Sequence, residues 1–244
     1  MALLIIAHRG SSGEYPENRL SAFEAAVRDG ADWCELDVQL SRDGRLVVIH
    51  DATVDRTTDG HGAVAELTMA ELKTLDAARR FDGKSSAKFI GERLPELDQV
   101  FDAVGGCSGL NIELKAKGTG RAVADLIKRR DAYGSAMVSS FDRDELATVA
   151  SIDPAIRLGV LGERDPASMF ETARRLDAWS VNPRFDLATA EFCAEAHRRG
   201  LRVLTWTVDA ADLMRQLAAN GVDGIMTNYP GRLHNLVRNL ERAS

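Results

Sequence analysis

The chain has 244 residues, 45% of them hydrophobic and 28% charged, enough apolar material for one large domain or two small ones. A net charge of -6 with no basic stripe argues against a nucleic-acid partner, so any anionic ligand must be attracted locally. No stretch nears the roughly 20 apolar residues of a membrane span. The apolar run 2–7 is too short for a signal segment, and Cys34, Cys107 and Cys193 form neither a CxxC pair nor a zinc spacing. The three thiols read as buried small hydrophobes in a reducing compartment, and a cytoplasmic protein is expected if the chain is the complete gene product. Its oligomeric state is left open.

The first strand candidate, 3–7, runs into His8-Arg9-Gly10. A helical pattern with Leu20, Phe23 and Val27 on one side then ends at Gly30, ahead of a second strand candidate at 33–38. Only Ser41-Arg42-Asp43-Gly44 separates this from a strand-like run at 45–49. No crossover helix fits there, so the two should pair antiparallel. A turn centred on Asp43-Gly44 would set Asp37 opposite His50, a register that a one-residue slip undoes.

Between His50 and Leu110 the pattern breaks. Thr68-Met69-Ala70-Glu71 is a capping box, with Leu67 and Leu72 placed for a hydrophobic staple, so a short helix starts there. Residues 79–92 read as a mobile loop able to cover a binding face, and 95–104 as a helix leading back to the sheet. The segment 51–94 is expected to be an insertion rather than a separate domain.

From Leu110 onward, short β-rich runs at 110–114, 136–140, 156–161, 179–181, 202–208 and 224–227 alternate with longer helical patterns. That rhythm implies βα units and a parallel sheet. In one of the helices Asp209 can cap the start, Leu213, Met214 and Leu217 form an apolar face, and Gly221 ends it. Six strands here and two before make eight, the arithmetic of an α/β (β/α)8 TIM barrel filling 1–244 as one catalytic domain, with its site at the C-terminal strand ends. A doubly wound open sheet competes, but no GxGxxG follows the first strand.

Alternation along the second strand sends Glu35, Asp37 and Gln39 inward, and Asn111, Glu113 and Lys115 repeat the scheme on a later strand. Three converging carboxylates repel one another unless a cation sits among them. All-oxygen donors favour one Mg2+ or Ca2+ ion. Ordinary salt bridges to Arg9 and Lys115 are the structural alternative. His8 and His50 each follow a strand, and an imidazole with an ordinary pKa near 6.5 suits a general base or a general acid. Either ring could instead be structural or a fourth ligand. His61, His197 and His234 read as surface residues.

Arg9 offers a planar fork and Lys115 a point charge for phosphate oxygens. Gly83-Lys84-Ser85 is no Walker loop, because Arg79 stands where the leading glycine belongs and no strand enters it. No GxSxG elbow is present, so a serine hydrolase is unsupported.

These residues resemble the glycerophosphodiester phosphodiesterase family nearly end to end. The likeness lies in His8-Arg9-Gly10 with Pro16-Glu17-Asn18, Gly30 through Val38, Asp43-Gly44 through His50-Asp51, and Arg56-Thr57-Thr58-Asp59-Gly60. Later blocks are Asn111 to Lys115, Ser140-Phe141, Trp206-Thr207-Val208 and Gly221 to Thr227. The resemblance implies a barrel enzyme that cleaves small-molecule glycerophosphodiesters to glycerol 3-phosphate and an alcohol. It implies a divalent cation on Glu35, Asp37 and Glu113, an acid–base pair in His8 and His50, phosphate contacts from Arg9 and Lys115, and Trp206 beside the glycerol.

Two departures stand out: Arg19 replaces the threonine usual after Pro-Glu-Asn, and Asn228 replaces the aspartate usual after the final Ile-x-Thr. Neither is expected to touch the catalytic set. Two other functions use the same groups: a Mg2+-dependent lyase or isomerase with Lys115 or His50 as carbon base, and a non-catalytic phosphate-ligand binder. Fold alone separates none of these.

Overall fold

The computed structural model describes residues 3–79, 81 and 87–243. Its first strands are β1 (Leu4–His8) and β2 (Trp33–Leu40), followed by the short β3 (Leu46–Val48). The rest are β4 (Gly109–Leu114), β5 (Ala136–Ser140), β6 (Arg157–Gly162), β7 (Ser180–Pro183), β8 (Arg202–Thr205) and β9 (Gly224–Thr227). All but β3 are parallel, and β9 pairs with both β8 and β1 while β1 pairs with β2. The sheet therefore closes on itself as the expected (β/α)8 barrel.

Helices α1 (Leu20–Arg28), α2 (Met69–Leu72), α3 (Leu97–Val104) and α4 (Thr119–Arg130) are followed by α5 (Arg143–Ile152) and α6 (Pro166–Leu176). The series ends with α7 (Ala190–Arg198), α8 (Ala211–Asn220) and α9 (Pro230–Ala243). Outward-facing strand residues such as Leu36, Ile112, Val138 and Val160 pack against helix residues such as Phe23, Val123 and Leu146 in one continuous core. Inside the barrel, Ile6, Met137, Leu204 and Met226 form a separate apolar plug. Burying each such side chain stabilises the fold by about 1.5–3 kcal/mol, and the plug closes the lumen below the polar C-terminal face.

The helix ends follow their chemistry with one exception. Thr68 and Glu71 form the expected capping box, and Leu67 packs in the same cluster as Leu72. Gly221 ends α8 at φ 92. Asp209 does not cap that helix; its carboxylate instead accepts from Thr227 Oγ1, Asn228 N and Asn228 Nδ2. Cys34 and Cys193 are buried as expected, but Cys107 is exposed, because it lies in the open turn between α3 and β4. His61 and His197 are exposed, whereas His234 is half-buried with its ring beside Gly30.

The antiparallel hairpin forms, one residue out of the expected register. Val38 faces Val48 and Leu40 faces Leu46, so Asp37 lies opposite Ile49, whose N–H donates to the Asp37 carbonyl at 3.0 Å. The cause is the turn. Gly44 N donates to Ser41 O, Gly44 takes φ 73, and Ser41 N bonds Arg45 O, which makes a three-residue loop with glycine in the left-handed position. His50 thus leaves the ladder and reaches the strand ends as a loop residue.

Residues 51–94 build their own small cluster from Val54, Val64, Met69, Leu72, Ala77 and Leu94, on the hairpin residues Val47 and Ile49. Arg19 joins this layer to the barrel. It is fully buried, and its guanidinium donates to the carbonyls of Asn18, Val48 and Ala77 and to Thr57 Oγ1. Burial lowers its pKa, yet it remains charged at neutral pH. Arg19→Ala would strand three carbonyl acceptors and open a cavity, so urea unfolding should show a loss of about 3 kcal/mol. An unchanged midpoint would refute this anchoring role.

Candidate active site

β1 delivers His8 to the C-terminal rim, and the chain then turns sharply, with Arg9 at φ 55 and Gly10 at φ 80. A Cβ on Gly10 would sit 2.7 Å from the Ala22 carbonyl carbon, so glycine lets this turn lie against α1. The left-handed Arg9 aims its N–H at Glu35 Oε2 (3.0 Å) and its Nε at Asp37 Oδ2 (3.2 Å). Inward alternation on β2 and β4, in register Asp37 to Glu113, brings the three expected carboxylates together. Glu35, Asp37 and Glu113 each offer an oxygen within 4.8 Å of the others, and Glu35 and Asp37 are buried.

Two cations flank three anions. Lys115 Nζ donates to Glu113 Oε1 at 2.8 Å and lies 3.7 Å from Asp37 Oδ1, which accepts no hydrogen bond. Asn18 Nδ2 holds the other Asp37 oxygen at 2.8 Å. Burial and then the Asp37 charge push the Glu113 carboxyl up to about 7, and burial with both neighbouring carboxylates drives Glu35 well above its ordinary range. Such crowding, with an orphaned oxygen and an all-oxygen donor set, fits a hard metal ion.

Both imidazoles reach the same place. The His8 ring bonds Asn228 Oδ1 through Nδ1 (2.8 Å), leaving Nε2 4.0 Å from Glu35 Oε2. Asp209 fixes which way the Asn228 amide points, by taking its Nδ2–H at 2.7 Å and its backbone N–H at 2.9 Å. The amide oxygen is thus the acceptor, and His8 Nδ1 carries the hydrogen. Burial, then the Arg9 charge, lowers the His8 pKa to about 4. On the other side His50 bonds Asp51 Oδ1 through Nδ1 (2.7 Å), with Lys115 Nζ 3.1 Å from its Nε2.

His8, Arg9, Glu35, His50, Glu113 and Lys115 line one side of a cavity of about 130 Å3. Its other side is Asn111, Ser139, Phe141, Leu161, Trp206, Thr207 and Met226. Trp206 is anchored by its Nε1–H on the Asn182 carbonyl and meets Phe141 edge-on, with centroids 5.5 Å apart. Every site residue expected from the sequence therefore lies in this cavity, apart from Asp37 just behind it.

The expectation that Arg19 and Asn228 would lie clear of the catalytic set holds only for Arg19. Asn228 touches His8 directly, from 220 residues away in the chain. Asp209, Glu17, Asp51 and Arg56 were also missed as site residues, although all but Asp209 stand within or beside the motif blocks. Arg56 binds Asp51 through Nε and Nη2 and Glu17 through both terminal nitrogens, while Glu17 also holds Arg9. One guanidinium thus braces both His50 and Arg9.

The loop expected to cover the mouth, 79–92, falls partly outside the described residues, as does all of Gly83-Lys84-Ser85. In the described part, Phe89 packs on Tyr15 and Phe81. No helix among the described residues is long and apolar enough to cross a membrane.

Fold and site together define a (β/α)8 barrel enzyme with an anion-binding, acid–base face. The chain belongs to the glycerophosphoryl diester phosphodiesterase family, which it matches over residues 8–232, and is a phosphoric diester hydrolase. A glycerophosphodiester phosphodiesterase of Caldanaerobacter subterraneus subsp. tengcongensis is 40% identical over 244 residues, covering 98% of this chain and 99% of the relative. One from Bacillus subtilis is 32% identical, covering 95% and 85%. Among solved structures, an Oleispira antarctica phosphodiesterase in complex with the product sn-glycerol-3-phosphate superposes with a TM-score of 0.88 at 29% identity, covering 97% of each chain.

The Arg56 brace should be acid-labile. Burial would raise the Glu17 carboxyl, but hydrogen bonds from Arg56 and the charge of Arg9 bring it down to about 2; the Arg56 hydrogen bond brings Asp51 to about 2 as well. Depressed carboxyls stabilise the fold fully above their unfolded values, 4.5 and 3.8, and lose that contribution as pH falls through about 2. The Tm gap between wild type and Arg56→Ala should therefore be widest near pH 5 to 7 and narrow towards pH 2. A gap independent of pH would contradict it.

Proposed function

We propose that this chain hydrolyses glycerophosphodiesters to glycerol 3-phosphate and an alcohol, as one catalytic domain over 1–244 with 51–94 as an insertion at the barrel mouth. The observation that carries the reading is the convergence on one cavity of both imidazoles, Arg9, Lys115 and the carboxylate cluster. The relatives' names and the product-bound Oleispira antarctica structure point the same way.

Arg9 and Lys115 attract the phosphodiester and offset the charge that builds on its oxygens in the transition state. Glu35, Asp37 and Glu113 would hold one divalent cation, Mg2+ or Ca2+, which when bound supplies further charge neutralisation there. His8, neutral at physiological pH, has no proton to give, so its Nε2 takes the proton from the nucleophile, either water or the substrate's own glycerol hydroxyl. His50 then delivers a proton from Nε2 to the departing alkoxide, with Asp51 fixing its ring from the far side. Trp206 and Phe141 provide an apolar wall for the carbon skeleton.

Lyase or isomerase chemistry through Lys115 is less well supported. Burial works against its charge, yet Glu113 and Asp37 outweigh that and raise its pKa, so it stays a cation rather than a carbon base.

The acid–base assignment is tested by release of glycerol 3-phosphate from glycerophosphocholine. His8→Ala and His50→Ala should each lower kcat by about 10^2 to 10^4 while remaining folded. Near wild-type turnover in either variant would remove that residue from the mechanism.

A further inference from the structure

The uncharged end of the cavity holds polar atoms that the protein leaves unpaired. Asn111 is 1% exposed, and neither its Nδ2 nor its Oδ1 has a hydrogen-bond partner. Ser139, also 1% exposed, has no partner for its Oγ. Both residues line the cavity. An unsatisfied buried amide or hydroxyl costs about 1–3 kcal/mol each, so these groups call for an occupant.

The donor set identifies its chemistry. An amide offers two N–H donors and a carbonyl acceptor side by side, and the serine hydroxyl offers both senses again. A phosphate or carboxylate only accepts and would leave Asn111 Oδ1 stranded. A cation would use that oxygen and strand the N–H groups. A hydroxyl donates once and accepts as well, and so satisfies the mixture.

Position identifies which hydroxyl. Asn111 precedes Glu113 by two residues on the same face of β4, about 7 Å deeper along the strand than the carboxylate cluster. Ser139 stands on the next strand, in register with Glu113. A phosphate held at the level of Arg9 and Lys115 keeps the neighbouring C2 hydroxyl near the imidazoles, and only the terminal hydroxyl reaches one layer down. The open rim carries Phe141, 42% exposed, where an alcohol of varied identity can lie. The enclosed end suits the part common to every substrate.

Resting on the phosphodiesterase reading above, we infer that Asn111 and Ser139 form a subsite for the terminal hydroxyl of the glycerol moiety, making them specificity residues of this enzyme. The test compares glycerophosphocholine with 2-hydroxypropyl phosphocholine, which keeps the C2 hydroxyl and lacks the terminal one. Wild type should show a kcat/KM about 100-fold lower for the deoxy ester, because the subsite is then left unpaired. In Asn111→Leu, and to a lesser degree in Ser139→Ala, that preference should collapse to a few-fold, through loss on glycerophosphocholine alone.

An equal loss on both esters would overturn the subsite, since it marks groups that hold only a structural water; so would a wild type indifferent to the missing hydroxyl. If Asn111→Leu fails to fold, Ser139→Ala and the wild-type ratio still decide. If wild type cleaves neither ester, the phosphodiesterase reading fails separately. Calorimetric binding of glycerol 3-phosphate against 2-hydroxypropyl phosphate then tests the subsite in the same way, with equal affinities refuting it.

Discussion

The mutual repulsion of Glu35, Asp37 and Glu113 is the constraint around which this face of the barrel is built. Their oxygens lie within 4.8 Å of one another, two of the three side chains are buried, and only Arg9 and Lys115 stand close enough to offset them. Carboxylates at such separations cannot all remain ionised without added positive charge. The remaining polar network is arranged to hold those two cationic side chains still. Glu17 grips Arg9, Arg56 grips Glu17, and the same Arg56 grips the Asp51 that orients His50.

That network explains a division of labour between two otherwise similar histidines. Each ring is held through Nδ1 and presents Nε2 to the cavity. His50 is held by a carboxylate, which offsets positive charge on the ring, whereas His8 is held by the neutral amide of Asn228, itself fixed by Asp209. An aspartate at position 228 would place a second anion against His8. The asparagine keeps His8 uncharged, as its pKa of about 4 requires, and this is what suits it to accept a proton rather than donate one.

Much of this was legible in the sequence, because the information is periodic. Inward alternation of Glu35, Asp37 and Gln39 against Leu36, Val38 and Leu40, repeated at Asn111, Glu113 and Lys115, placed the carboxylates before any coordinates existed. The βα rhythm likewise located all eight barrel strands. What escaped had no period. The hairpin register turned on whether Gly44 closes a two- or a three-residue loop, and the sequence signal is the same for both. Asp209 satisfies the helix-cap pattern, yet its carboxylate is drawn to Asn228 across the rim. The Asn228 contact with His8 spans 220 residues and exists only because β9 closes the barrel against β1.

The central claim is that a cation completes the carboxylate cluster for phosphodiester hydrolysis. It is tested most directly by stripping the purified protein with a chelator, removing the chelator, and measuring glycerol 3-phosphate released from glycerophosphocholine as Mg2+ or Ca2+ is titrated back. The account predicts negligible turnover in the stripped protein and saturable recovery with at least one of the two ions at one equivalent per chain, with no recovery in Glu113→Gln. Full turnover by the stripped protein, verified free of metal, would contradict it.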